Sequence, residues 1–470
     1  MPERLDILVD GDVRHMTISE ALEFGKSRQD TGDLSGAADV YQQIHTHNPE
    51  QVDAVHLLGV ISHRLGELEL AAGLIAAAIS LKPDFAEAHS NLGVVYFDQG
   101  RMEDAEACYR RAIEINPEYA DPHNNLGALH QRLGRLDDAI ASYRNASAIN
   151  PDYAEAHNNL ATLLLLSGQF EEGWDSFSWR WKTPQFSNVL TNYPRPLWEG
   201  ESLTGKRILV WEEQGVGESL LFAGLIPELQ QKGAAVTVKC DPRLVPLYGR
   251  SFPEVTCFSA DGSQEASPFD FQAPLADLGR WLRPNAASFP ETGAYLKTDK
   301  ARSAALRKRY RDGGEDCLVG LAWISKSPHY AEQKSMTLDA LEPLLRMPGV
   351  TFVDLQYGDT SEERQAFTDR TGIDILHDED VDQMIDLDGF AAQVAALDMV
   401  VTISNTTAHM AGGLGVDTLL MLDTRPIWYW QRERGDSPWY PSLRLFRQQT
   451  AGNWSDVIGG MIEAVRKKRS

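Results

Sequence analysis

The chain has 470 residues, is 43% hydrophobic and carries a formal net charge of −24. That length predicts about two to four domains with ordinary cores, and the acidic balance argues against a broad nucleic-acid or anionic-membrane surface. Cys108, Cys240, Cys257 and Cys317 show no metal or disulfide spacing, no apolar run is long enough to span a bilayer, and the acidic N-terminus lacks an apolar signal core. A cytoplasmic protein with reduced thiols is expected.

Residues 1–16 are expected to form an irregular lead-in. A repeat follows. Pro49, Pro83, Pro117 and Pro151 each close an Asn-Pro or Lys-Pro pair and stand 34 residues apart. Thirty-four is the period of the helix–turn–helix tetratricopeptide unit. Leu58-Gly59, Leu92-Gly93, Leu126-Gly127 and Leu160-Ala161 keep the register, as do Ala37, Ala71, Ala105 and Ala139. Tyr41, Ile75, Tyr109 and Tyr143 are expected to fill the space between neighbouring repeats. Residues 17–181 thus read as an all-α superhelix of four full repeats and a degenerate fifth. Its aromatic end, Glu171 to Trp181, suits a terminal repeat docked on another domain. Residues 182–206 read as a connector.

From Lys206 the pattern becomes α/β. Arg207–Trp211 predicts a strand, followed by Gln214-Gly-Val-Gly217 and a helix over 218–231. Further strands are predicted at 234–240, 317–323, 350–356, 399–403 and 418–422, with helical stretches between them. This alternation implies parallel sheets with right-handed crossovers. Two Rossmann-like halves are expected, 207–300 and 301–446. Residues 447–470 hold a final helix that is expected to return to the first half.

Four features can carry chemistry. Asn91, Asn125 and Asn159 recur at one position of successive repeats, and a ladder of amides on an inner groove can pair with an extended peptide. The same residues can simply bridge neighbouring helices. Ser404-Asn-Thr-Thr-Ala-His409 follows a strand and opens a helix, which suits an anion, since ligands bind at the carboxyl ends of strands. The candidate contacts are Ser404, Asn405, Thr406, Thr407 and His409; the alternative is simple N-capping by Ser404 or Thr406, with His409 facing the core. Glu218, after the glycine loop of Gln214, Gly215 and Gly217, is a candidate general base or a dipole-complementing helix residue. Lys326 and Lys334 can neutralise a leaving phosphate or be merely solvated, and the segment Gln356–Asp359 can meet a base or ribose. No metal-ligand spacing is found, so no metal or other cofactor is expected.

These motifs resemble bacterial tetratricopeptide proteins with a glycosyltransferase domain of the GT-B fold, similar to ADP-heptose:lipopolysaccharide heptosyltransferases. The resemblance rests on Glu213–Glu218, Leu355–Asp359, Ser404–His409, Ala411–Gly415 and Asp436–Pro441 followed by Leu445–Gln448. The repeats also resemble the superhelix of O-GlcNAc transferase. The resemblance implies an α + α/β architecture and a metal-independent transferase, with a nucleotide sugar as substrate and a protein as acceptor. Thr406, Thr407 and His409 would hold the donor phosphate, and Glu218 stands where the family commonly has Asp. Ser404 replaces a family Asp, which argues against heptose and suits a more acidic donor. A CMP-nonulosonic acid and flagellin are the expected substrates, with no nucleic acid or membrane partner. The alternatives are a scaffold with a degenerate transferase domain, or a transferase using a UDP, GDP or ADP sugar on a glycan.

Overall fold

The computed structural model describes residues 4–9, 11–186, 189, 193–261, 268–291, 293–312, 314, 316–326 and 331–469. It divides into two compact units, Met1–Leu160 and Ala161–Ser470, the division falling inside helix Ala154–Leu166.

The first unit begins with a hairpin rather than an irregular lead-in. β1 (Arg4–Val9) pairs antiparallel with β2 (Asp12–Thr17). The reason lies in a period of two: Leu5, Ile7 and Val9 are buried, while Arg4, Asp6 and Leu8 face out, the signature of a half-buried strand. The Gln43 amide accepts from Leu8 N at 2.7 Å and donates to Leu8 O at 3.0 Å, clamping β1 on the second helix.

Helix pairs follow: Ile18–Asp30 with Leu34–His47, Val52–Arg64 with Leu68–Leu81, Ala86–Asp98 with Met102–Ile115, and Ala120–Arg132 with Leu136–Ile149. The turn within each pair contains a glycine at positive φ (Gly32, Gly66, Gly100, Gly134), and Gly168 continues the series at the same 34-residue spacing. Only glycine takes that conformation without strain. The aromatic positions pack between repeats, Tyr109 clustering with Leu126 and Leu129 of the next one, and inside a repeat as well. A Cβ built at Gly93 or Gly127 would lie 2.5 Å from the Tyr109 or Tyr143 ring of the same helix pair. The ring therefore fills the space that the missing side chain leaves.

The second unit holds two parallel sheets. β3 (Arg207–Trp211), β4 (Ala235–Cys240), β5 (Thr256–Ser259) and β6 (Phe271–Pro274) form the order β5-β4-β3-β6. β7 (Cys317–Ala322), β8 (Val350–Asp354), β9 (Met399–Ile403), β10 (Thr418–Leu422) and β11 (Leu443–Arg447) form β11-β10-β9-β7-β8. The helix expected over 218–231 is broken at Gly224, giving Val216–Ala223 and Ile226–Gln231. The final helix, Ser455–Arg469, does not return to the first sheet. Val457, Ile458, Met461 and Val465 pack with Leu341 and Leu344 in the core of the second sheet, and Lys468 pairs with Asp417 at 3.1 Å.

The aromatic tail of the fifth repeat packs within this unit. Trp174, on helix Phe170–Phe177, donates its indole N–H to Arg283 O at 2.8 Å and covers Gly279. Arg180 is 0% exposed and pairs with Glu213 at 3.1 Å and Asp277 at 2.5 Å. Glu213 also accepts from Leu275 N and Ala276 N. Burial pushes the Glu213 carboxyl up, and the guanidinium and the two N–H groups pull it back toward the charged form.

Candidate functional site

β3 and β9 both end in a turn that opens a helix, and the two helix starts come together. Helix Val216–Ala223 packs on helix Thr406–Leu414. Gly217 makes the approach possible: a Cβ there would lie 3.1 Å from Cδ2 of His409. Around this contact opens a cleft of about 420 Å³, within the range of small-molecule sites. Gly215, Gly217, Glu218, Lys326, Lys334, Ser404, Asn405, Thr406, Thr407 and His409 all line it.

Electrostatics divide the cleft into two walls. On the first-sheet side, burial pushes the Glu218 carboxyl above the usual carboxylate range, against the pull of its own backbone N–H, Lys334 and Tyr429. On the second-sheet side, burial pulls the Lys334 ammonium down, against Asp423 and Glu218. Burial, with Lys334 beside it, holds the His409 imidazole at about 3, so it is neutral at physiological pH. His409 stacks on Trp430 with centroids 5.1 Å apart, and its Nδ1 hydrogen-bonds Tyr440 Oη at 3.0 Å. Nε2 is thereby left on the side of Gly217.

The Ser404–His409 turn combines both readings open in its sequence. Asn405 is the N-cap, its Oδ1 accepting from Ala408 N at 3.4 Å and from Thr402 Oγ1 at 3.0 Å. Ser404 Oγ accepts the Trp430 indole N–H at 2.8 Å. Both side chains serve local structure, but Asn405 Nδ2 is buried with no hydrogen-bond partner among the described residues. Thr407 is 1% exposed, and its Oγ1 has no hydrogen-bond partner among the described residues. The first N–H groups of a helix have no partner within it, so they and the Thr406 side chain offer donors to an anion.

Gln356 is not brought to the cleft. Its Oε1 accepts from Trp323 N and Ile324 N at 2.9 and 2.7 Å, and its Nε2 donates to Ile324 O and Tyr357 O at 3.1 and 3.2 Å. The amide capacity is exhausted in holding the loop after β7. Gln214 also stays outside the lining. Tyr357, in the Gln356–Asp359 segment singled out from sequence, does line the cleft, as does Arg243, which sequence reasoning missed. Arg243 forks onto Asp241 and donates to Met384 O at 2.7 Å. Arg243 comes from a segment with no local signature, so only the fold brings it there.

In the first unit, Asn91, Asn125 and Asn159 use Nδ2 to bridge repeats, reaching His56 at 2.9 Å, Ser90 at 3.5 Å and Asn124 at 3.3 Å. This is the bridging reading of the ladder, and it does not use the Oδ1 acceptors of Asn91 and Asn125.

Among the described residues, no group of three or more His, Cys, Asp or Glu is placed to hold a metal ion. None of their helices is long and apolar enough to cross a membrane.

Residues 22–84 match a model described as tetratricopeptide repeat, and residues 93–134 and 132–168 match one described as TPR repeat. Protein FlbA of Caulobacter vibrioides is 33% identical over 326 residues, covering 64% of this chain and 53% of that protein. The chain thus aligns with about half the length of this relative. Two solved structures are similar in part. One is a crystal structure of MamA (24% identity, 35% of this chain and 97% of that chain, TM-score 0.30). The other is TTC0263, a thermophilic TPR protein in Thermus thermophilus (22% identity, 36% and 91%, TM-score 0.32). The N-terminal region is therefore built of tetratricopeptide repeats, and an α/β region of two parallel sheets follows it.

Proposed function

We propose that the chain is a metal-independent protein O-glycosyltransferase whose sheet unit has the GT-B arrangement and whose repeats hold the acceptor polypeptide. One observation supports this most: a half-buried carboxyl, Glu218, faces the open N-terminus of helix Thr406–Leu414 across a cleft at the carboxyl ends of two parallel sheets. Glu218 takes the proton of an acceptor Ser or Thr hydroxyl as its oxygen attacks the anomeric carbon. The bond from that carbon to the phosphate oxygen breaks, and the N–H groups of Thr406 and Thr407 with Lys334 receive the departing charge. Neutral His409 sets the wall against which the phosphate rests. Lys326, exposed at the rim, adds positive charge. Arg243, Lys326 and Lys334, together with Ser404 in place of a carboxylate, favour an acidic donor. A CMP-nonulosonic acid is our preferred donor and flagellin our preferred acceptor.

Intact-mass analysis of flagellin coexpressed with the wild-type chain, with Glu218→Gln and without either tests the reading. A mass increment of a nonulosonic acid with the wild type alone is expected. Equal flagellin masses in all three samples would refute it.

A further inference from the structure

Tyr429 stands where three groups of the cleft meet. It is 3% exposed, and its ring packs edge-on against His409 at 5.1 Å and Trp430 at 5.0 Å between centroids. Its hydroxyl lies 3.5 Å from Glu218 Oε1 and within reach of Ser404. A buried phenol needs a hydrogen-bond partner, and here the partner is a carboxylate carried by the other sheet's helix. The other oxygen, Oε2, lies over Gly215, 3.3 Å from where a Cβ would stand. The segment carrying Tyr429 is held firmly. Arg447 donates to Trp430 O at 2.8 Å, and the next residue, Gln431, has φ +54°, a left-handed conformation that a non-glycine residue keeps only where its surroundings impose it.

Building on the transferase reading, we propose that Tyr429 is the positioning residue for Glu218: its hydroxyl fixes Oε1 against the donor wall and so leaves Oε2 for the acceptor hydroxyl. Trp428 and Trp430 on either side serve the aromatic core. Tyr429 alone of the three extends a polar group to the carboxylate. The charged and titratable groups acting on Glu218 are Lys334 and Tyr429, with neutral His409 across the cleft and Asp423 acting through Lys334.

The test uses the full chain and does not depend on turnover alone. The infrared C=O band of the Glu218 carboxyl, assigned by its loss in Glu218→Gln, is titrated in the wild type and in Tyr429→Phe. Removing a hydrogen bond to the charged form should raise the midpoint by about half to one pH unit. In the transfer assay, kcat at pH 7 should fall roughly tenfold with donor KM held within about twofold, and Tyr429→Phe should add no loss in a Glu218→Gln background. If Tyr429→Phe does not fold, a fluorotyrosine at 429 keeps the packing and strengthens the donor, moving the midpoint down. A midpoint that moves with neither change overturns the proposal, as does an additive loss in the double variant. A midpoint that moves in a protein that transfers no sugar supports the positioning role and refutes the transferase reading.

Discussion

Glu212 and Glu213 are neighbours in sequence, both driven toward the neutral form by burial, yet replacing each with Gln should act in opposite directions. Burial raises the Glu212 carboxyl from 4.5 to about 7. Its Oε2 accepts from Asp241 N at 2.8 Å, and its Oε1 is buried with no hydrogen-bond partner among the described residues. The folded state therefore holds a proton that the unfolded chain releases near 4.5. The contribution of this group is fully present below that pH and is lost as pH rises to about 7. The gap of about 2.5 units corresponds to about 3 kcal/mol at high pH. In Glu212→Gln this dependence disappears. The stability gain over wild type should grow by about 2 kcal/mol between pH 5.5 and 8.5, whatever fixed cost the buried amide adds. Glu213→Gln, in contrast, leaves Arg180 with Asp277 alone and should destabilise by about 3 kcal/mol at pH 8.5. All 11 tryptophans lie after residue 160, so tryptophan fluorescence during guanidinium unfolding reports the second unit selectively. A Glu212→Gln gain that is the same at both pH values, or a stabilising Glu213→Gln, would refute this account of the buried carboxyls.

Trp174→Ala removes a buried indole and its hydrogen bond to Arg283 O, and should cost about 3–5 kcal/mol in the same unfolding experiment. Gly217→Ala puts a methyl 3.1 Å from the packed His409 ring; it should lower the ligand-free midpoint and weaken the thermal shift given by CMP, and an undiminished shift would place the nucleotide elsewhere. Asn125→Ala removes a half-buried bridge between repeats, so a loss of about 1 kcal/mol or less is expected in circular dichroism melts, and a large drop in acceptor pull-down would show that its amide also contacts peptide.

The fully buried strands are the most legible part of the fold. Met399–Ile403 and Thr418–Leu422 are unbroken apolar runs because parallel strands covered on both faces carry no alternation. β5 and β6 span four residues each and mix polar with apolar side chains, and β11 carries two arginines among five residues, so none of the three stands out as an apolar run. The hairpin is easily passed over although Leu5, Ile7 and Val9 carry its period, because charges at Arg4 and Asp6 suggest an irregular lead-in. In the site, Glu218 and the 404–409 turn are findable because each follows a strand. Gln356 also follows a strand, yet its side chain turns back onto backbone, an orientation no sequence pattern reveals. Tyr429 is hidden between two tryptophans and gains its role only from a carboxylate 211 positions earlier.

The buried Arg180 also governs how this protein can be divided. Residues 182–206 look like the natural place to separate repeats from sheets. A fragment cut there would keep Glu213 and Asp277 but lose the guanidinium that neutralises them, and it would uncover Gly279 where Trp174 rests. Glu213 stands five positions before Glu218, so the damage would reach the glycine loop first. An isolated fragment holding the two sheets should therefore begin before Phe170, carrying the tail of the last repeat as part of its own core.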